Sequence, residues 1–171
     1  MEIARFLGQE FHEIHRLLIV IPQDTPEGAR NHAIMLTFLD TGVRLSELVN
    51  LKIPDIDFVG GQFKVFGMGA KERIVPMGLA TRRAIIRYKD HFRPPVNPTE
   101  ERLFLSVSGE PISKDSVEKV VQRLARRAQI PHSPASSCSV GRLTLVIRNE
   151  AVASIRLGAT ASVARPRRLV Q

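Results

Sequence analysis

The segment Thr41-Gly42-Val43-Arg44-Leu45-Ser46-Glu47-Leu48 joins two predicted helices and places an arginine at the start of the second. A long apolar helical pattern precedes it and begins at Thr25-Pro26, where threonine is suited to cap a helix and proline to occupy its first position. Gly42 is a natural residue to end that helix, because glycine adopts the left-handed conformation readily. Leucines at positions 45, 48 and 51 then predict a short helix from Arg44 to Leu51.

A second informative segment, Gly67-Met68-Gly69-Ala70-Lys71-Glu72-Arg73-Ile74-Val75-Pro76, is typical of a basic turn that leads into a strand. Two other β-rich runs, residues 56–59 and 62–66, come before it with Gly60-Gly61 between them. Runs separated by glycine-containing turns predict a three-stranded antiparallel meander. If the fold brings Arg44 and Lys71 together, the two cations form a clamp for one phosphate.

The remaining apolar patterns predict helices over residues 9–21, 79–92 and 113–129, the last of them capped by Ser113. Residues 103–106 predict either a short buried strand or the tip of a helix. The predicted fold class is therefore mainly α with a small three-stranded antiparallel β-sheet, an α+β arrangement.

Length and composition limit the classes of function. A chain of 171 residues can bury one sizeable core. The single Cys138 excludes an internal disulfide and a multi-cysteine metal site, and a reducing, cytoplasmic setting is expected. His12, His15 and His32 are expected on helix surfaces, and we expect no metal and no cofactor. The first residues carry no basic start followed by an apolar stretch, so no signal peptide is expected, and no run of about 18 uncharged apolar residues occurs to span a membrane.

The net charge of +8 is distributed unevenly. Residues 1–130 hold 19 Lys and Arg against 16 Asp and Glu, whereas residues 131–171 hold 6 against 1. All eight Phe and the only Tyr lie in the first range. We therefore expect a core over 1–130 and an altered basic C-terminal segment over 131–171, which is either a weak pair of helices or largely disordered. The positive charge is consistent with a polyanionic partner or with a solubilising surface.

Taken together, TPEGARNHAIMLTFLDTGVRLSELVNL at 25–51, PDIDF at 54–58 and GMGAKERIVPM at 67–77 resemble the catalytic domain of tyrosine recombinases, the phage integrase family. The resemblance covers roughly residues 9–130, and its most specific element is TG-x-R-x-SEL followed by G-x-G-x-KER-x-VP. It implies a mainly helical domain with a small three-stranded sheet. It also implies double-stranded DNA as partner and strand cleavage by a tyrosine hydroxyl through a covalent 3′-phosphotyrosine.

The resemblance implies roles for individual residues. Arg44 matches the family's first catalytic arginine, whose planar fork suits phosphate oxygens. Glu47, one helical turn later, would hold that guanidinium in place. Lys71 is either a substitute general acid for the leaving 5′-oxygen or a phosphate contact only, since Met68 stands where many members carry lysine. Arg73 either grips the DNA backbone or merely solvates its strand. The candidate DNA-binding residues are Arg44, Lys71, Arg73, Arg82 and Arg83.

The second half of the family's active site is not recognisable. It normally reads H-x-x-R-H, then L-G-H or L-G-W, then a nucleophilic tyrosine near the end, and the sequence after Pro131 contains none of these. Tyr88 lies mid-chain on a basic amphipathic helix and is expected to pack in the core or serve at the surface. Without the tyrosine there is no covalent intermediate, so we expect the chain not to cleave DNA.

Three hypotheses stay open. The chain is a domain for site-specific DNA recombination and integration whose C-terminal third is decayed, frameshifted or altered. Alternatively, it is a non-enzymatic module that binds the DNA backbone, or a basic interaction or scaffold domain. Active members of the family assemble as homotetramers on DNA, often by exchanging a C-terminal helix. That helix is not recognisable here, so a monomer is expected without DNA.

Overall fold

The computed structural model describes residues 12–67, 72–94 and 99–130. Residues 12–19 are helical and form α1, in agreement with the described part of the helix predicted over 9–21. Within the described ranges, none of the helices is both long and apolar enough to cross a membrane. The expectations for Met68, Lys71 and the segment 131–171 fall outside the described residues.

Helix α2 spans Pro26–Thr41, as the sequence predicts. The Thr25 hydroxyl oxygen accepts a hydrogen bond from the Gly28 N–H at 3.1 Å, which satisfies one of the free donors of the first turn. At the other end Gly42 adopts φ 60° and ψ 27°, and its N–H donates to the Phe38 carbonyl. This left-handed conformation ends the helix and brings Arg44 to the start of the next one.

Helix α3 spans Leu45–Val49 and is shorter than the predicted range of Arg44 to Leu51. Arg44 itself is the residue before the first helical turn, with an extended backbone at φ −72° and ψ 151°. Leu48 and Val49 are buried, so one side of this short helix packs on the core while Arg44 faces solvent.

Three antiparallel strands form the predicted meander, in the order β1-β2-β3: Ile56–Asp57, Gln62–Phe66 and Glu72–Pro76. Strand β1 is shorter than the predicted run of 56–59. The Asp57 carboxylate accepts hydrogen bonds from the N–H groups of Val59 and Gly60 at 3.0 and 2.8 Å, which bends the chain into a turn. The buried side chains of Phe63, Val65 and Val75 define the inner face of the sheet.

Helix α4 spans Leu79–Arg87 and continues as a π-helical turn over Tyr88–Phe92, where the sequence predicts one regular helix. The Arg93 N–H donates to the Tyr88 carbonyl at 2.7 Å, five residues back. Tyr88 is 1% exposed, its hydroxyl accepts from the Leu105 N–H at 3.2 Å, and its ring stacks on Phe104. Tyr88 is therefore a core residue, one of its two expected roles.

Residues 103–105 are fully buried, and Leu105 forms an isolated antiparallel bridge with Pro111, so this segment is extended and not a helix tip. Helix α5 spans Lys114–Arg127, with the Ser113 hydroxyl accepting from the Ser116 N–H at 3.1 Å. Helices α1, α2, α4 and α5 and the inner face of the sheet contribute to one hydrophobic core. The described residues thus confirm the predicted mainly helical fold with a small antiparallel sheet.

The Asp40 carboxylate joins the end of α2 to the beginning of α4. Its Oδ2 accepts a hydrogen bond from the backbone N–H of Gly78, the residue before α4, and another from the Thr81 hydroxyl at 2.7 Å. The carboxylate thereby caps α4 from a neighbouring helix and also places a negative charge at its positive end. Two residues beyond Asp40 the chain reaches Gly42, so this contact fixes the basic helix α4 beside the turn that carries Arg44.

We expect Asp40→Ala to lower the free energy of unfolding by about 1–2 kcal/mol, because α4 loses its cap and Thr81 loses a partner. Urea denaturation followed by circular dichroism measures the change. Asp24→Ala is the control, since Asp24 is exposed and makes no hydrogen bond or ion pair in the described structure. An equal change in the two variants would contradict the capping role of Asp40.

Candidate functional site

Glu47 is the centre of the site, and its carboxylate is 1% exposed. Oε2 accepts the Arg44 backbone N–H at 2.8 Å and the Arg73 guanidinium Nη2 at 2.7 Å, while Oε1 accepts Arg44 Nη1 at 3.1 Å. The contact with the Arg44 N–H is the half of a capping box in which the third helical residue reaches back to the helix start. One buried negative charge thus binds two arginine side chains.

The surroundings of Glu47 favour its charged form. Burial alone raises the pKa of the carboxyl. The hydrogen bond from the Arg44 backbone, the bond and positive charge of Arg73 and the bond from the Arg44 side chain outweigh burial, and the pKa lies below its ordinary value. Glu47 is therefore an anion at neutral pH and cannot serve as a proton donor there.

Arg44 is held by Glu47 on one side, and the rest of its guanidinium faces solvent. Its backbone and Nη1 are held by Glu47, yet its side chain remains 65% exposed. A guanidinium carries five donors, and only one of its N–H groups is directed at Glu47 in the described structure. The remaining donors are available to an anion from solvent, and two parallel N–H groups match the oxygens of a phosphate.

Arg73 lies on the inner face of the sheet, a position not expected from the sequence. It pairs with Val65 across the strands and shares a face with Val75, two residues further along β3. The expected alternatives were a grip on DNA or simple solvation, whereas the structure shows an ion pair with Glu47 at 2.7 Å. Strand alternation was the available signal, because Val75 marks the inward positions.

The structure does not bring every candidate residue to Glu47. Arg82 donates to the carbonyls of Phe58 and Val59 at 3.2 and 3.3 Å and so holds the turn between β1 and β2. Arg83 is exposed on α4. Lys71 lies outside the described residues, two positions before Arg73 in the sequence.

The other titratable groups in the described ranges do not form a second cluster like the one around Glu47. No cluster of three His, Cys, Asp or Glu suited to a metal ion occurs among the described residues. His12 and His15 are exposed as expected, but His32 is half-buried, and burial together with Arg87 lowers its pKa. His32 therefore lies at the partly covered edge of the helix surface.

Glu47→Gln should lower the free energy of unfolding at neutral pH by roughly 2–3 kcal/mol, because an amide has no charge and turns its own N–H groups toward a guanidinium. The folded-state pKa of Glu47 is lower than the unfolded value of about 4.3, so this stabilisation is complete above that pH. It is lost as the pH falls through the folded-state pKa. The difference between the wild-type protein and Glu47→Gln should therefore shrink below about pH 4.

Urea denaturation over a series of pH values measures this effect. The control is Glu72→Gln, which removes an exposed carboxylate paired with Lys64 and should change stability by at most about 0.5 kcal/mol. A difference between wild type and Glu47→Gln that stays constant down to the acid end of the series would contradict the ion pairs described here.

Comparison with known proteins places this geometry in a family. The sequence model of the phage integrase family matches residues 9–137. Tyrosine recombinase XerC of Staphylococcus aureus (strain bovine RF122 / ET3-1) is 36% identical over 125 residues, which are 72% of this chain and 42% of the relative. XerC of Staphylococcus aureus strain USA300 is 35% identical over the same shares. The chain thus spans less than half the length of these curated relatives.

Solved structures share the fold. The XerA recombinase superposes with a TM-score of 0.66 at 27% identity, over 84% of this chain and 48% of that one. The XerH site-specific recombinase, in a post-cleavage complex with its palindromic difH substrate, gives a TM-score of 0.61 at 19% identity over 84% and 40% of the two chains, which shows the fold alone. The resemblance found in the sequence is confirmed, and the chain belongs to the phage integrase family of tyrosine recombinases.

Proposed function

We propose that this chain binds the backbone of double-stranded DNA as the core of a site-specific recombination domain, with Arg44 holding one phosphate. The observation that carries the proposal is the pairing of a buried, ionised Glu47 with an arginine whose outer donors remain exposed. A guanidinium held in this way loses little conformational freedom when it binds an anion. DNA is the partner that the family and the positive charge of the chain favour.

Related structures support DNA as the partner. The XerH recombinase was solved with its difH substrate, and the Tn1549 transposon integrase with transposon right end DNA. On this basis we propose that Arg44, Lys71, Arg82 and Arg83 form the basic surface toward DNA, with Arg73 beside them in contact with Glu47. Phosphate contacts of this kind carry no base information, so binding should depend steeply on salt and little on sequence.

We also propose that these 171 residues do not cleave DNA. The family's second half-site, H-x-x-R-H with a later tyrosine, is absent from the sequence. The only tyrosine, Tyr88, is buried with its hydroxyl bound to the Leu105 N–H, so it is not available as a nucleophile. The Arg44 guanidinium binds a phosphodiester and stabilises its negative charge. Without an attacking hydroxyl, the phosphodiester bond is not broken.

The organisation of the chain follows from this proposal. Residues 1–130 are the recombinase-like core and residues 131–171 are an altered basic segment that contributes positive charge. A monomer in the cytoplasm is the expected state without DNA. A basic scaffold domain is the competing function, and it predicts no DNA binding even at low salt.

Arg44→Ala should weaken binding to a short fluorescein-labelled duplex by about tenfold and reduce the slope of log affinity against log salt by about 1, because one phosphate contact is lost. Fluorescence anisotropy at several salt concentrations measures both quantities. Arg123→Ala is the matched control for charge. It pairs with Glu27 at the first turn of α2, roughly 24 Å from the other end of that helix, where Arg44 follows. Equal losses in the two variants, or no binding of wild type at low salt, would contradict the proposal.

Incubation with a nicked suicide DNA substrate should yield no covalent protein–DNA adduct, because no available tyrosine exists in the chain. A denaturing gel detects such an adduct, and an active tyrosine recombinase serves as positive control. An adduct formed by the wild-type chain would overturn the proposed inactivity. Its loss in Tyr88→Phe would assign the bond to that residue.

A further inference from the structure

Arg73 makes the shortest of the three hydrogen bonds to Glu47. Its Nη2 lies 2.7 Å from Oε2, whereas the Arg44 backbone N–H and Nη1 lie 2.8 and 3.1 Å from their acceptors. The Arg73 contact also joins residues 26 positions apart, while the other two are local to the start of α3. Glu47 therefore binds a residue of the sheet as well as a residue at the start of its own helix.

The three contacts share the two carboxylate oxygens in a definite way. Oε2 accepts both the Arg44 backbone N–H and Arg73 Nη2, and Oε1 accepts Arg44 Nη1. Two donors on Oε2 restrict rotation of the carboxylate, which keeps Oε1 directed at the Arg44 side chain. Without Arg73, only groups of Arg44 itself would restrain the carboxylate, and both side chains could turn together.

Neighbouring charges on the strand do not compete for Arg73. Glu72 points to the opposite, outer face of the sheet and pairs with Lys64 at 3.1 Å. Arg73 is 43% exposed, so two roles are compatible with its surroundings. It either contacts a phosphate directly or acts on the phosphate only through Glu47 and Arg44.

We propose that Arg73 is a positioning residue for Arg44, fixing the Glu47 carboxylate that orients the phosphate-binding guanidinium. The effect on DNA rests on the proposed function, whereas the effect on Glu47 and Arg44 does not need DNA. Strand β3 thereby helps to hold Arg44, the residue before α3, in the orientation that binds phosphate.

A double-mutant cycle on DNA affinity tests the proposal. Arg73→Met should weaken binding about tenfold in the wild-type background and less than about twofold in the Arg44→Ala background, because the residue acts through Arg44. Lys64→Met removes a charge of the same sign from the same sheet without touching Glu47, and its effect should be equal in both backgrounds. A loss with Arg73→Met that is the same in both backgrounds would make Arg73 an independent phosphate contact and overturn the proposal.

Two measurements without DNA separate this inference from the proposed function. In Arg73→Met the pKa of the Glu47 carboxyl, followed by ¹³C NMR, should rise, and the Arg44 guanidinium nitrogens should change from resolved to averaged ¹⁵N signals as the group begins to rotate. Lys64→Met should change neither. Unchanged Glu47 and Arg44 signals in Arg73→Met would overturn the inference even if DNA binds as proposed. If the wild-type chain binds no DNA, the proposed function fails and these signals alone decide the inference.

Arg73→Lys covers the case in which Arg73→Met does not fold. Lysine keeps the positive charge but has no planar fork. Because a single Arg73 nitrogen contacts Glu47, DNA affinity in Arg73→Lys should fall only to the extent that the Arg44 signals average. Averaged Arg44 signals with full affinity, or resolved Arg44 signals with a loss of affinity, would overturn the positioning role.

Discussion

The ionised carboxylate of Glu47, buried between α3 and β3, is the interaction on which the rest of the site depends. A charge removed from water requires partners that satisfy it, and Glu47 has a backbone N–H and two guanidinium groups. Each partner brings a different part of the chain to one point. The start of α3, the exposed arginine and the first residues of β3 are therefore fixed relative to one another by one acidic side chain.

The helical frame holds this point in place through polar contacts at helix ends. Gly42 ends α2 in a left-handed conformation, which lets the chain reach Arg44 two residues later. Asp40 links the same end of α2 to the first turn of α4, which carries Arg82 and Arg83. The positions of the basic side chains therefore depend on Gly42, which is neutral, and on Asp40 and Glu47, which are acidic.

Most of the fold could be predicted from the sequence because its signals are local. The cap at Thr25, the glycine at position 42 and the alternation in β2 and β3 each act within a few residues, and the structure agrees with them. The π-helical turn at Tyr88 and the inward contact of Arg73 could not be predicted with the same certainty. The π-helical turn closes through the Arg93 N–H and the Tyr88 carbonyl, where the apolar spacing predicts a regular helix. Strand alternation indicates the inward side for Arg73, but its partner Glu47 lies 26 residues away and no local pattern identifies it.

The Glu47 contacts also imply an order of assembly. The pair with Arg44 spans 3 residues and needs only the first turn of α3, whereas the pair with Arg73 spans 26 residues and requires the sheet to dock. A transient local opening that separates β3 from α3 would release Arg73. The contact between Arg73 and Glu47 then lasts only as long as the sheet stays docked. Amide hydrogen exchange in β3 would measure how often this docking is lost.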